Sequence, residues 1–397
     1  MEAVGEERSR SRLNALVWVT LAGCLALGNP VQARADETAA LSAVTFNPIQ
    51  RNIGGDLGVR YRGLSIFPGQ QTTFWAYAGV GYEGMHYYRD AAGNLLSAGE
   101  IGASGNMPNF DPSFTRIEGA WRLGLEQGIV WNERTATNLF AAFFFYRGRY
   151  DLNSLSSGTP LSAALNVLPD GNHCLLNTLQ LGLGYDDLLF EKKHKTKDGI
   201  SAEATAEWGP GFLFNRIMGN SDFIRFNGTF QWFKFLYDLA PDHASNVFSL
   251  YLGEHFSADY AVALNGTQVP LYIRQSFGGR NQSIGLGGSV RGVDEGAYDT
   301  NFKAVNNLEL RANLPAIFHP DLVPGLVVFF DAGAYDQVGE PGISSPGSGF
   351  VAGTGAGVCV DVLDQGSLAA YVEYRLDAAN AEGDHLRIFV MEFGMHF

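Results

Sequence analysis

The chain has 397 residues, and its 27 basic and 41 acidic side chains give a net charge of −14. This acidic balance argues against nucleic-acid binding, which requires a basic surface. Charged residues make up 17 % of the chain and hydrophobic residues 46 %, a composition that excludes an intrinsically disordered protein. Beyond residue 35, no apolar run reaches the ~18 residues of a membrane helix, so any membrane crossing must use strands.

Residues 1–35 have the pattern of a secretory signal peptide. Three arginines precede an apolar run over residues 13–27, and the small-residue cleavage site 33–35 follows it. The mature domain is therefore predicted to span residues 36–397. The tetrapeptide that ends at Cys24 also has the form of a lipoprotein processing site, so lipidation of Cys24 is an alternative.

Strands are predicted from residue 54 onward, because apolar and polar residues alternate with the period of two that is typical of β-strands. In one segment Phe226, Phe230 and Trp232 alternate with Arg225 and Asn227. The polar faces carry charges of both signs, which suit the wet lumen of a membrane barrel better than a dry core. The charges predicted to face this lumen include Glu309, Arg311, Glu373 and Arg375.

The alternation predicts thirteen strands in chain order. They lie near 54–64, 72–89, 114–131, 135–150, 174–190, 199–213, 221–238, 245–260, 302–315, 324–336, 349–363, 366–378 and 386–397. A bacterial outer-membrane barrel has an even number of strands, and residues 40–46 are the candidate for a fourteenth. The predicted fold is all-β: one antiparallel transmembrane β-barrel.

The predicted connections differ in length between the two ends of the barrel. The long ones lie near 90–113, 151–173, 261–301 and 337–348. The short ones, near 132–134, 239–244 and 364–365, fall at the other end. Long external loops and short periplasmic turns are typical of outer-membrane barrels. A soluble β-sandwich shares the alternation, but the long strands and the number of aromatic residues argue against it.

The last predicted strand has one wholly apolar face. Phe393 and Phe397 lie on this face, with Gly394 between them, and the sequence ends on the aromatic ring. A membrane barrel must close its sheet with the final strand and keep one face in lipid. The segment therefore predicts a closing strand in the outer membrane.

One basic cluster interrupts the acidic chain on a predicted periplasmic turn. Its lysines are Lys192, Lys193, Lys195 and Lys197. They form either a solvated turn or a contact with lipid phosphates or a partner protein.

No catalytic residue, cofactor or metal site is predicted. The eight histidines show no metal-ligand spacing. The glycine-rich segment 353–357 leads into a strand rather than the helix that a phosphate loop requires. Asp242, His243 and Ser245 are better explained as a polar turn than as a hydrolase site. Cys174 and Cys359 form either one disulfide or two separate thiols.

Four motifs in the last third of the chain stand in the order found in one family. They are Gly287-Gly288-Ser289-Val290-Arg291-Gly292, Leu308-Glu309-Leu310-Arg311, Phe329-Phe330-Asp331-Ala332-Gly333 and Phe393-Gly394-Met395-His396-Phe397. Together they resemble the BamA/TamA-like outer-membrane assembly factor superfamily, also called the bacterial surface antigens. Val293 departs from the family, which has an aromatic residue at this position.

The resemblance implies a lock inside the barrel. The signature Arg291 would lie at the tip of a long loop folded back into the lumen and would pair with Asp331, while Gly292 allows the tight turn. Arginine suits this role because its planar fork grips a carboxylate bidentately. The closing strand, with Phe393, Gly394 and Phe397, would carry the signal for the barrel's own insertion.

The resemblance also implies a function without enzymatic activity. The barrel would assist insertion or translocation of outer-membrane or secreted components, as a monomer that contacts outer-membrane lipid and a periplasmic or secreted protein. A passive pore or structural barrel is the alternative. The family barrel has sixteen strands, whereas the count from the sequence favours fourteen. POTRA modules, which precede the barrel in relatives, are expected to be absent.

Overall fold

The computed structural model describes most of the chain after residue 43. The described residues are 44–47, 52–64, 70–87, 89, 113–154, 173–191, 196–239, 248–293, 295–317, 319, 322–336, 347–362, 366–376 and 385–394. The predicted signal peptide with Cys24, three lysines of the basic cluster (Lys192, Lys193 and Lys195) and the terminal Phe397 lie outside them.

One antiparallel sheet dominates the described residues. Its strands follow the path β1 (Val44–Asn47), β2 (Asn52–Leu64), β3 (Thr72–His86), β4 (Ser113–Asn132), β5 (Thr137–Ser154), β6 (His173–Asp186), β8 (Thr196–Gly209), β9 (Phe223–Asp238), β10 (Ser249–Ala263), β13 (Phe302–Asn313), β14 (Leu322–Asp336), β15 (Ser348–Val362), β16 (Gly366–Arg375) and β17 (Leu386–Gly394). The short β7 (Leu189–Glu191) pairs beside β8, and β11 (Ser276–Phe277) and β12 (Ser283–Ile284) form a separate hairpin.

Helices are short in this fold. The described residues contain a 3-10 turn at Gly211–Leu213 and two single turns, α1 (Leu271–Arg274) and α2 (Leu286–Ser289). Among the helices that the structure describes, none has the length and apolar character to cross a membrane.

The strand path contains fourteen strands within the described residues, the number that the sequence count favoured over sixteen. The candidate 40–46 corresponds to β1, which begins at Val44 and pairs with β2. Two predicted strands were too long. The segment 174–190 is divided into β6 and β7, and 199–213 ends as a strand at Gly209. Pro210 follows Gly209 and cannot donate a ladder hydrogen bond, which explains the second break.

The two faces of the sheet differ as the alternation predicts. Directly opposite residues of neighbouring strands share a face, as Leu181, Ala206 and Phe226 do on β6, β8 and β9. Leu181 and Phe226 are exposed, while Glu207 and Arg225 on the opposite face are buried. The sheet therefore presents an apolar outer face and a polar inner face.

The sheet curls around the connection between β10 and β13. This connection, residues 264–301, is called the lumen loop below. Gln275 of the loop donates from Nε2 to the carbonyl oxygen of His86 on β3, at 3.0 Å. Arg291 of the loop reaches Asp331 on β14, at 2.7 Å. Because β3 and β14 stand far apart in the strand order, only a curled sheet brings both against one loop.

The long connections lie at one end of the curled sheet. Antiparallel neighbours alternate in direction, so the connections after β3, β5, β10 and β14 share an end with the one after β8. The connections after β4, β9 and β15 lie at the other end and are shorter. This is the arrangement that the sequence predicted.

Candidate functional site

Arg291 lies at the turn that follows α2, and its side chain contacts the polar inner face of the sheet. The sheet is called the barrel wall below. Its Nε donates to Oδ2 of Asp331 at 2.7 Å, and its Nη2 donates to Oδ1 of the same carboxylate at 2.7 Å. The backbone N–H of Arg291 also donates to Asp331 Oδ2, at 3.1 Å. This is the bidentate grip in which a guanidinium matches a carboxylate best.

A second carboxylate completes the Arg291 contact. Nη1 of Arg291 donates to Oε1 of Glu309 at 2.6 Å, and Nε of Arg311 donates to Oε2 of Glu309 at 2.6 Å. Glu309 therefore lies between two arginines, one from the loop and one from its own strand. Charges of alternating sign offset one another in a site from which water is largely excluded.

Burial and an aromatic ring strengthen this site. The Arg291 side chain is 10 % exposed, and those of Asp331 and Glu309 are 0 % and 1 % exposed. The guanidinium lies 3.6 Å from the centroid of the Phe329 ring, a distance suited to a cation–π interaction. Burial lowers the pKa of Arg291, but the hydrogen bonds and charge contacts with Asp331 and Glu309 outweigh it, so the pKa is raised overall.

Asn307 is a member of this site that the sequence interpretation missed. Its Nδ2 donates to the carbonyl oxygen of Ser289 at 2.8 Å and to Oδ1 of Asp331 at 2.9 Å. It therefore fastens the loop backbone to the strand that carries Glu309. The signal was present, since Asn307 stands two residues before Glu309 on the polar face of the same strand.

Gly292 allows the loop to turn against the wall. Its φ of +83° is in the left-handed region that favours glycine, and a Cβ at this position would meet the carboxylate of Glu373. Glu373 and Arg375 are both buried on the inner side of β16. Six further predicted residues thus line the same part of the lumen as Arg291, namely Gly292, Glu309, Arg311, Asp331, Glu373 and Arg375.

The contacts of Arg291 with the barrel wall are called the first anchor below. Arg280, at the tip of the β11–β12 hairpin, forms the second anchor. Its Nη1 donates to Oε2 of Glu126 on β4 at 2.9 Å, and its Nε donates to Oε2 of Glu203 on β8 at 3.0 Å. Its backbone N–H also donates to Glu203. The guanidinium lies 4.8 Å from the ring centroid of Phe143 on β5. One side chain therefore bridges three strands of the N-terminal half of the wall.

Wall side chains bind the backbone of the same hairpin tip. The carbonyl oxygen of Arg280 accepts from Nη1 of Arg122 at 2.8 Å and from Nη2 of Arg147 at 2.6 Å. The carbonyl oxygen of Gly279 accepts from Arg147 Nη2 at 2.8 Å and from Gln180 Nε2 at 3.0 Å. Charged donors make such hydrogen bonds stronger than neutral ones.

The sequence interpretation did not identify Arg280. A usable signal was the pair Gly278-Gly279 before Arg280, which repeats the Gly-Gly pair before Arg291 in the same loop. Gly279 has a φ of +108°, so this position favours glycine for the same reason as position 292, a backbone conformation that other residues rarely adopt.

The base of the lumen loop is held by buried charges. Arg225 donates from Nε to Oδ2 of Asp259 at 2.6 Å, and Nζ of Lys303 lies 3.3 Å from the same oxygen. Arg225 also donates to the carbonyl oxygen of Ser276, and Lys303 donates to that of Ile273 at 3.2 Å. The wall thus provides cations for the loop backbone along much of its length.

The Omp85 superfamily domain matches residues 109–388 of the chain, a region that includes both anchors. The chain belongs to the Omp85 superfamily. This confirms the resemblance to BamA/TamA-like proteins that the four motifs indicated. The protein is therefore an integral outer-membrane β-barrel, with the apolar face of its sheet in lipid and the polar face around the lumen.

A comparison with solved structures found several chains to which this one is similar. BamA from Haemophilus ducreyi lacking POTRA domains 1–3 has 14 % identity and a TM-score of 0.48, with 86 % of this chain and 61 % of that chain covered. CdiB from Escherichia coli has 13 % identity and a TM-score of 0.49, with 85 % and 52 % covered. CdiB from Acinetobacter baumannii has 14 % identity and a TM-score of 0.44, with 87 % and 57 % covered.

The chain thus spans between about half and three fifths of the length of these solved structures. No curated protein matches the sequence.

The remaining predicted site residues that the structure describes are Phe393, Gly394 and Lys197. Phe393 and Gly394 end β17, where they pair with Leu368 and Ser367 of β16. The ammonium of Lys197 lies 4.8 Å from the ring centroid of Phe233.

Phe233 is buried and lies on the same face of β9 as Arg225, so Lys197 is turned toward the lumen rather than toward lipid headgroups. Cys174 and Cys359 are separate thiols on β6 and β15 and do not form a disulfide with each other.

The lumen loop leaves part of the lumen open. A cavity of about 470 Å³ lies between the loop and the wall. Its lining includes Trp75, Tyr77 and Arg122 from the wall and Tyr272 and Gln282 from the loop. Its lining combines polar, charged and aromatic side chains, so this part of the lumen is not filled by a close-packed apolar core.

Proposed function

We propose that this Omp85 barrel assists the insertion or translocation of an outer-membrane or secreted component, and that it does so without catalysing a reaction. The observation that carries the proposal is the grip of Arg291 on Asp331 and Glu309, together with membership of the superfamily. A loop fixed inside the lumen obstructs simple diffusion. The protein surface that remains to act on another molecule is then the wall and its first and last strands.

The seam between the first and last strands is the proposed working part. β1 and β17 are the two ends of the strand path, and a strand edge presents N–H and C=O groups that another strand can pair with. In this proposal the lumen loop keeps the barrel in shape while the seam opens toward lipid. The partner is a periplasmic or secreted polypeptide that adds a strand at this edge.

Disulfide trapping tests the seam. Cysteine pairs would be scanned along residues 44–47 and 386–394, in a variant whose native cysteines at 174 and 359 are replaced by serine. Cells that depend on the trapped protein should show reduced amounts of other outer-membrane or secreted proteins in quantitative proteomics, with recovery on reduction. A trapped barrel that supports wild-type amounts would contradict the proposal.

The second candidate is a passive pore, favoured by the cavity beside the loop. A pore conducts through its lumen and does not need an opening seam. Steady ion conductance across planar lipid bilayers, unchanged by the seam disulfide, would support the pore. A barrel that conducts only when Arg291 is removed would support the first candidate, because the lock would then be the barrier.

We further propose that residues 1–35 are removed on export and that the mature monomer begins at Asp36. The support is the succession of basic residues, apolar run and small-residue site in the sequence. Mass spectrometry of the protein from outer membranes should show an N-terminus at Asp36. A diacylated N-terminal Cys24 would establish the lipoprotein alternative instead.

A further inference from the structure

The connection between β8 and β9 carries an apolar surface that the lumen site does not use. Residues 210–219 of this connection are called the apolar loop below. Phe212 and Ile217 are 69 % and 68 % exposed, and Phe214 and Met218 are also exposed. Four large apolar side chains within seven residues are unusual on a surface that faces water, and such patches mark an interaction site.

The apolar loop is hydrogen-bonded to the edge of β6 in the barrel wall. The pairing of β6 with β8 ends at Leu179 and Trp208. Beyond this point the edge of β6 is bonded by the loop instead. The N–H of Leu175 donates to the carbonyl oxygen of Met218 at 2.8 Å.

Two asparagines continue this replacement of a strand. The N–H of Asn177 donates to Oδ1 of Asn215 at 2.6 Å, and Nδ2 of Asn215 donates back to the carbonyl oxygen of Asn177 at 2.8 Å. Nδ2 of Asn177 binds the carbonyl oxygen of Leu213 at 2.8 Å, and Tyr146 donates to Oδ1 of Asn177 at 2.7 Å. These bonds satisfy backbone groups at the edge of β6 and the carbonyl groups of Leu213 and Met218 in the loop, which lowers the cost of placing the segment against lipid.

The apolar loop is continuous with the lipid-facing surface. Leu179, Trp208 and Ile224 are directly opposite one another on β6, β8 and β9 and so share the outer face. The Trp208 ring meets the Phe212 ring edge to face, with 5.4 Å between centroids. Glu207, on the other face of β8, is buried in the lumen.

A charged pair marks the polar limit of this surface. Nη2 of Arg216 lies 3.3 Å from Oδ2 of Asp222, and Asn265 of the lumen loop donates to the same oxygen at 2.8 Å. The charges of this connection are therefore joined to the lumen loop. The connection shares its end of the barrel with the long connections, which in outer-membrane barrels is the external end.

We infer that the apolar loop is immersed in the outer leaflet of the outer membrane, where lipid acyl chains cover Phe212, Phe214, Ile217 and Met218. The loop thus extends the lipid-facing belt past the end of β8. Acyl chains are the occupant because the patch continues a surface that lipid already covers, with no charged side chain between Trp208 and Phe212.

Spin labelling in bilayers tests this inference. Nitroxide labels would be attached to Phe212→Cys and, separately, Ile217→Cys in the full barrel, with the two native cysteines replaced by serine. Leu181→Cys on the outer face of β6 provides the lipid control, and Thr135→Cys on the turn after β4 provides the water control. Accessibility to oxygen, which concentrates in acyl chains, would be compared with accessibility to a water-soluble nickel chelate.

Both loop labels should show an oxygen-to-nickel accessibility ratio within about twofold of the Leu181 label and at least fivefold above the Thr135 label. Ratios equal to that of the Thr135 label would place the loop in water and overturn the inference. Labels closed to both reagents would mean that protein covers the patch, which overturns it as well. Two positions keep the test decisive if one variant does not fold.

Discussion

Two arginines of the lumen loop are held by opposite halves of the barrel wall, and in different ways. Arg291 is bound through its side chain by carboxylates of β13 and β14, and it is 10 % exposed. Arg280 reaches carboxylates of β4 and β8 and is 25 % exposed. Its backbone carbonyl additionally accepts hydrogen bonds from two wall arginines.

The two attachments therefore differ in how far they depend on the charge of the arginine side chain. When the Arg280 side chain is removed, the carbonyl groups of the hairpin keep their donors on the wall. When the Arg291 side chain is removed, the main cation for a buried carboxylate is lost. We therefore expect the segment after the hairpin, residues 285–293, to be the part of the loop that a single change releases.

Arg291→Ala should have the largest effect, because it leaves the Asp331 carboxylate buried without its cation. Removing one partner of a buried ion pair costs about 3–5 kcal/mol. Amide hydrogen exchange of the barrel in lipid nanodiscs should become faster over residues 285–293. The β11–β12 hairpin should keep its protection, since its own contacts are intact.

Arg291→Lys is the matched control, because it keeps the charge and loses the planar fork. Its exchange should lie between that of the wild type and that of Arg291→Ala. Equal protection of residues 285–293 in all three proteins would show that the arginine does not hold the loop.

Arg280→Ala should have a smaller effect, about 1–3 kcal/mol, because Glu126 and Glu203 lose one partner while the backbone hydrogen bonds remain. Exchange should increase within residues 276–284 and stay unchanged at 285–293. An increase over the whole lumen loop would contradict the independence of the two segments, since the hairpin would then support the Arg291 segment. Arg122→Ala, which removes one donor to the hairpin carbonyl, should add to the effect of Arg280→Ala.

Gly292→Ala and Gly279→Ala compare the two turns directly. Both glycines have positive φ, so an alanine at either position costs about 1–2 kcal/mol in backbone strain. At Gly292 the new methyl group also meets the Glu373 carboxylate, whereas at Gly279 its nearest side-chain atoms lie at 3.2 Å. Gly292→Ala should therefore lower the thermal unfolding midpoint further.

A second substitution separates the backbone strain of these two variants from the steric contact with the Glu373 carboxylate. Glu373→Ala should recover part of the loss in Gly292→Ala and none of the loss in Gly279→Ala. Equal recovery in both would mean that Glu373 acts on the whole lumen rather than on the turn.

The same contrast explains how much the sequence could reveal. The alternation of faces predicts thirteen of the fourteen strands and their lumen charges, because each strand shows its two faces locally. The fourteenth candidate, residues 40–46, came from the even strand number of outer-membrane barrels. Arg291 and Asp331 could be paired because both stand in motifs that the family shares. The sequence did not identify Arg280, because its partners Glu126 and Glu203 are 154 and 77 residues away along the chain. Only the register of distant strands brings these residues together.

At the end of β8, by contrast, the sequence predicted more regular structure than the chain has. The sequence predicted one strand over residues 199–213, whereas the strand ends at Gly209. Pro210 ends the ladder, but the aromatic residues keep their place on the outer face through the bonds of Asn215 with Asn177. The pattern of side chains followed the lipid surface rather than the strand, since the need for an apolar outer face does not depend on backbone pairing.

The smallest expected effect is a pH dependence of docking that affects the loop segment after Arg291 and not the β11–β12 hairpin. Glu295 lies in the loop after Arg291, and burial raises its pKa to about 7, with Glu83 adding to the shift and Arg116 opposing it. The docked loop thus binds this proton more tightly than an undocked loop, whose carboxyl has the ordinary pKa of 4.5. Docking is therefore favoured at low pH and weakens as the pH rises from about 4.5 through 7.

Because Glu295 is partly exposed, the change should be about 1 kcal/mol or less. Exchange over residues 295–301, corrected for its intrinsic pH dependence, should be faster at pH 8 than at pH 5.5, and Glu295→Gln should remove this difference. The hairpin at 276–284 should show no such dependence. A pH response of equal size in both segments, or one that survives Glu295→Gln, would mean that the two halves of the loop undock together and that the two anchors are not independent.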